Sequence, residues 1–147
     1  MSYENPGSGR WNFSPSEMVD AGFYNDLAEW CERLGAEEQV VGFDRVLREI
    51  GEPACNGALS RTSFGQRVAR LVEAEAFESA AIALLPQSAI YSGGRMKDGS
   101  FIAQVIPEGS AGAHSREAQS LAMAWVAALL RAMGRQLAEA KGAVGDR

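Results

Sequence analysis

Residues 115–141 read SREAQSLAMAWVAALLRAMGRQLAEAK, and this stretch decides the fold. Leu121, Trp125, Val126, Leu129, Leu130, Met133 and Leu137 recur at helical spacing, with alanines between them. Wound as a helix they cover an apolar arc of roughly 200°, far wider than the stripe of a surface helix. Only Glu117, Ser120, Arg131 and Arg135 are left for water. The periodicity predicts one helix, capped by Ser115 and running to Lys141, inside the fold with the rest of the chain around it.

A cover of that kind is within reach. The chain has 147 residues, enough for one domain that buries about two-thirds of its unfolded surface. No apolar run approaches the roughly 18 residues of a membrane span. Met1–Arg10 is polar and glycine-rich, without the hydrophobic core of a signal peptide, so a cytoplasmic location is expected. Cys31 and Cys55 lack metal or redox spacing, which predicts two reduced thiols, Cys31 in the core. No cofactor is expected.

The formal net charge of −5 is unevenly spread. Residues 1–78 carry 14 acidic side chains against 7 arginines, whereas residues 79–147 carry 5 against 7 basic ones. The acidic half repels nucleic-acid phosphates, so its expected partner is a basic protein surface and not nucleic acid itself.

Residues 1–12 are expected to form a flexible tail. A helix then opens at a Ser14–Glu17 capping box, with Phe13 and Met18 as its hydrophobic staple. Its stripe is Val19, Phe23, Leu27, Trp30, Cys31 and Leu34, and Gly35 is its expected C-cap. A second helix is predicted over 37–50, burying Val40, Phe43, Val46, Leu47 and Ile50, with Gly51 and Pro53 as its stop. Residues 52–62 read as loop, and a third helix starts at Ser63 with Gln66 closing a capping box. Glu73, Glu75 and Glu78 crowd the unfavourable pole of that helix. They predict a break near Phe77, a new start at Ser79 and an end at Pro86.

Two runs, 89–96 and 101–107, flank Asp98-Gly99 and predict a hairpin with a two-residue turn. That register sets Met96 beside Phe101, Gly94 beside Ala103 and Ser92 beside Val105. The other face then carries Tyr91, Arg95, Ile102, Gln104 and Ile106. Gly93-Gly94 predicts a bulge or a close backbone approach. Two strands alone are marginal, so a third strand, a helix on each face or a second subunit is required. Residues 108–114 read as a glycine-rich loop, and 142–147 as a frayed tail. The expectation is one α+β domain over 13–141, acidic and helical to residue 78, then α-β-β-α.

The stretches Ala80-Ala81-Ile82-Ala83-Leu84-Leu85-Pro86, Phe101-Ile102-Ala103 and Leu121–Ala132 follow the order short helix, hairpin, alanine-rich helix. Over residues 79–133 this resembles the phage ABA-sandwich domains. The resemblance implies a phage or mobile-element setting and α-β-α layering, and no chemistry, since that family has no defined activity. The chain departs from the family in having Ile90-Tyr91 where a tryptophan often follows Pro86. Residues 1–72 have no counterpart in it.

Chemistry-bearing candidates are sparse. His114, the single histidine, would need a nucleophile and an orienting partner to act as a base, and the sequence proposes neither. Ser110 lacks the G-x-S-x-G context, because position 108 is Glu. No dinucleotide or phosphate-loop pattern surrounds the glycines. An enzyme is therefore not expected. Asp20, Asp26, Glu29, Glu32, Glu37, Glu38, Asp44 and Glu49 are the candidate partner-binding carboxylates, joined by Tyr91 and Arg95 on the sheet. The expected function is a non-enzymatic protein-interaction module of phage or mobile-element origin. Its sharper form is an anti-CRISPR-like inhibitor docking on a basic groove of a host nucleic-acid-processing complex. The alternative is a homo-oligomeric structural or assembly protein.

Overall fold

A computed structural model describes residues 21–54, 58–109 and 114–145. The Ser14–Glu17 capping box, the Phe13–Met18 staple, Val19, Asp20, Cys55 and Ser110 lie outside the described residues.

Helix α5, Leu121–Gly145, is the interior element that the alanine-rich stretch predicts. Every residue from Ala122 to Leu130 is buried, so neighbours close on it from all sides. Helix α1 (Ala21–Glu32) packs along one flank, α4 (Phe77–Leu84) along another, and a three-stranded sheet along a third. Alanines at 122, 124, 127 and 128 make this possible, because small side chains let the neighbouring backbones approach. The helix starts later than the expected Ser115. Ser120 is its N-cap, its Oγ accepting the Met123 N–H at 3.3 Å, and it is buried instead of facing water.

The six residues before that cap form strand β3, His114–Ala118, and its exit into Ser120. The sheet order is β1-β2-β3, all antiparallel, with β1 Ile90–Arg95 and β2 Phe101–Ile106. The third strand that the hairpin required is thus the segment read as loop and helix start. Its sequence, His-Ser-Arg-Glu-Ala, has no β-branched residue, so propensity does not announce it.

The hairpin is corrected by one residue. Arg95 pairs with Phe101, Gly93 with Ala103 and Tyr91 with Val105. Gly99 takes φ of +92°, its N–H donates to Met96 O, and the Met96 N–H donates to Ser100 O. This is a three-residue loop with a glycine bulge, not a two-residue turn. Asp98 favours it: its Oδ1 accepts both the Ser100 N–H (3.0 Å) and the Ser100 hydroxyl (2.7 Å). A one-residue slip exchanges faces. Tyr91 and Arg95 therefore share the helix-facing side with Phe101, Ala103 and Val105, not with Ile102 and Gln104. Gly93 marks a close approach and no bulge interrupts the ladder. A Cβ there would sit 2.8 Å from Leu121 Cδ1. Trp125, directly beneath, meets Tyr91 edge-on (5.7 Å) and donates its indole N–H to Ser92 O at 3.0 Å.

The opposite sheet face carries Ile90, Ser92, Ile102, Gln104, Ile106 and Glu117, and no described helix covers it. The α-β-α layering implied by the resemblance is therefore represented among the described residues by helices on one face.

The N-terminal helices follow the predicted pattern with shifted ends. Leu27, Cys31 and Leu34 are buried, and Tyr24 joins them beside a half-buried Phe23. Gly35 is not a left-handed C-cap; at φ −72° it starts a 3₁₀ turn, Ala36–Glu38. The Gly35 N–H donates to Glu38 Oε1 at 2.7 Å, which makes Gly35 the N-cap of that turn and not the C-cap of α1. Helix α2, Gln39–Ala54, buries Phe43, Val46 and Ile50, while Val40 faces out. Its backbone stays helical through Gly51 and Pro53. Helix α3 is Ala58–Glu73, so residues 58–62 of the expected loop are helical, and Ser63 and Gln66 lie inside a helix.

The break after α3 has a defined geometry, and α4 starts at Phe77, not Ser79. Glu75 adopts φ of 59°; its N–H donates to Val72 O, and the Ala76 N–H donates to Leu71 O. These two bonds form a Schellman cap with a glutamate where glycine is usual. A non-glycine residue there is strained. Replacing Glu75→Gly should stabilise the fold by roughly 0.5–1 kcal/mol, raising the melting temperature by about 1–4 °C in calorimetry. An unchanged or lower melting temperature would contradict the assigned cap.

Candidate interaction surfaces

Seven of the eight candidate carboxylates are described, and they separate into three environments. Asp20 lies outside the described residues. Glu32 is withdrawn from the surface. Arg131 Nε and Nη2 donate to its two oxygens at 3.1 and 3.0 Å, and Arg116 Nε lies 3.7 Å away. These ion pairs tie α1 to α5 and β3, so Glu32 anchors the fold. Asp44 and Glu49 are balanced along α2, by Arg48 at 2.9 Å and Arg45 at 3.9 Å. Exposed pairs of this spacing contribute about 0.3–0.5 kcal/mol, but they give the outer face of α2 alternating signs. Arg45 also lies 4.5 Å above the Trp30 ring, which joins α2 to α1.

Asp26, Glu29, Glu37 and Glu38 remain exposed. Asp26 and Glu29 are three residues apart on the outer side of α1. Glu37 and Glu38 lead into α2, Glu38 with one oxygen spent on the Gly35 cap. Next to them Val40 and Val41 are 52% and 54% exposed. Phe77 stacks on Phe43 at 6.2 Å, which joins the start of α4 to α2, and Glu73, Glu75 and Glu78 near that junction are exposed. The structure thus exposes a patch that the periodicity missed: two valines beside the carboxylates of Glu37 and Glu38. The signal was available, since Val40 and Val41 cannot both share a stripe with Phe43 and Ile50.

Tyr91 and Arg95 lie together on β1, at the outer edge of the sheet. Tyr91 is held by Trp125 and half covered.

His114 is on β3, 8% exposed, and faces the helices. Burial lowers its pKa from the ordinary value, Arg135 and Arg116 add to the shift, and Glu139 opposes it. Cys31 is fully buried in α1. Burial pushes its thiol up to about 12, with Arg45 lowering and Glu32 raising it. No group of three or more His, Cys, Asp or Glu able to hold a metal occurs among the described residues. No helix among them is long and apolar enough to cross a membrane.

Two measurements follow from this arrangement. Glu32→Ala leaves Arg131 facing a desolvated gap and should cost about 2 kcal/mol in denaturant unfolding, a value discounted for partial exposure. A cost under about 0.5 kcal/mol would reduce it to an ordinary surface pair. For His114 the folded pKa is lowered, so its contribution is present above pH 6.5 and is lost as pH falls through the folded value. The unfolding midpoint of the wild type should drop between pH 7 and 5, and His114→Gln should flatten that drop. Identical pH profiles would contradict the burial of a neutral imidazole.

A scan of family models, a search of curated proteins and a search of solved structures each found no match to this chain.

Proposed function

We propose that this protein is a non-enzymatic interaction module that docks on a basic surface of a partner protein. The observation that carries this is the exposed Val40-Val41 pair next to the exposed Glu37 and Glu38. An apolar centre with a charged rim is the usual anatomy of a protein interface. A single sign of charge on the rim selects a partner of opposite charge and speeds encounter. Asp26 and Glu29 extend the same sign along α1. Glu32, Asp44 and Glu49 do not contribute to it, because arginines already balance them.

The phage or mobile-element setting comes from the resemblance of residues 79–133. In that setting the basic partner is a host nucleic-acid-processing complex, and the module is an inhibitor occupying its phosphate-binding groove. A second function, homo-oligomeric assembly, is favoured by the outer edge of β1 and the outer sheet face, which nothing among the described residues pairs with or covers.

The test uses two baits, wild type and Glu37→Lys/Glu38→Lys, with a host lysate at low and high salt. A nucleic-acid-binding protein held by the wild type, lost with the variant and displaced by duplex DNA supports the inhibitor. Retention of no such protein, or equal retention by both baits, overturns it.

A further inference from the structure

The outer edge of β1 is the strand's least protected feature. It is six residues long, contains Gly93-Gly94, and has no proline, bulge or lysine along it. Such devices are what normally keep an edge from recruiting another strand. Its only charge is Arg95, at the end.

The hairpin loop fixes which backbone groups face outward. The Met96 N–H bonds to Ser100 O, so Met96, Gly94, Ser92 and Ile90 turn their main-chain groups toward β2. Tyr91, Gly93 and Arg95 turn theirs to the outer edge. The side chains carry the same message. Among the described residues, Ile90 (66%), Tyr91 (42%) and Met96 (39%) are three of the five exposed large hydrophobics. All three flank this edge.

We propose that the occupant is a second copy of this chain, its β1 antiparallel to this β1 across a two-fold axis through Gly93. The two three-stranded sheets then join into one continuous sheet. Each outward residue meets an outward residue: Gly93 faces the second copy's Gly93, and Tyr91 faces the second copy's Arg95. Each facing pair forms two main-chain hydrogen bonds. The guanidinium lies against a tyrosine ring already fixed by Trp125, a cation–π contact repeated at both ends. On the other sheet face Ile90 meets the second copy's Met96, so two exposed apolar groups cover each other.

Neighbouring registers do not combine these contacts. Sliding by one residue sets outward groups against inward ones. Sliding so that Ser92 meets Ser92 leaves Arg95 opposite Ala89, whose N–H is already bonded to Pro86 O at 3.0 Å. Sliding the other way leaves Met96 opposite Ser92 and Arg95 opposite Gly93. The self-complementarity belongs to one register.

An edge interface of this kind falls below the area of a standard permanent complex, so the dimer is weak, with a Kd of roughly 10–100 μM. The proposal rests on the homo-oligomer reading and is independent of the acidic surface.

Sedimentation of the full chain from about 1 to 500 μM, a range bracketing that Kd, tests it. The expected result is a reversible monomer–dimer equilibrium. Ile90→Lys and Met96→Glu, both at exposed positions, should each weaken it about tenfold or more. Ile90→Lys/Met96→Glu in one chain sets opposite charges against each other at both ends and should recover most of the loss. A monomer at every concentration overturns both the pairing and the oligomer reading. A dimer indifferent to the single changes, or not rescued by the double one, overturns this pairing while the oligomer reading stands.

Discussion

The structure depends on one constraint: a helix that is apolar nearly all round must be enclosed. From Ala122 to Leu130 α5 shows no water-facing side, and each neighbouring element is placed by that requirement. The sheet supplies Ala103, Val105 and Ala118 against it, α4 supplies Ala80, Ala81 and Leu84, and α1 supplies Leu27, Ala28 and Cys31. Small side chains recur on both sides of these contacts. Close packing of alanine on alanine brings backbones together, which explains why Gly93 and Gly42 sit where a Cβ would strike Leu121 and Met123.

Enclosure fixes the electrostatics as well. Arg131 is the polar residue that interrupts the buried run, and it reaches out of the core only as far as Glu32. That carboxylate cannot serve two masters. The acidic half of the sequence therefore divides into charges that bind the protein to itself and charges that face outward, and only the second group is available to a partner. Composition counts both alike.

Much of the architecture was legible in the sequence. The helix face of Leu121 to Leu137, the buried faces of α1 and α2, and the hairpin at Asp98-Gly99 follow from periodicity and turn chemistry, because each is a local pattern. The misreadings share a cause: two local rules competed and tertiary context chose. At the hairpin, Asp98 accepted Ser100 and selected a type of turn one residue longer, which reversed the faces of Tyr91 and Arg95. At residues 114–118, strand pairing with β2 overrode a sequence without strand formers. At Glu75 the end of a helix imposed a left-handed conformation on a residue ill-suited to it. The interaction surfaces were legible only in part, since Glu32 and Asp26 look alike until Arg131 is placed beside one of them.

The burial of Cys31 has a consequence of another kind. It is fully buried on α1, the helix whose main seam is with α5, and burial pushes its thiol up to about 12. An alkylating reagent in the surrounding water therefore meets it only in molecules whose first helix has momentarily lifted away. The rate at which that atom is modified is a clock for the seam's opening, written into the chain by a residue that takes no other part in its chemistry.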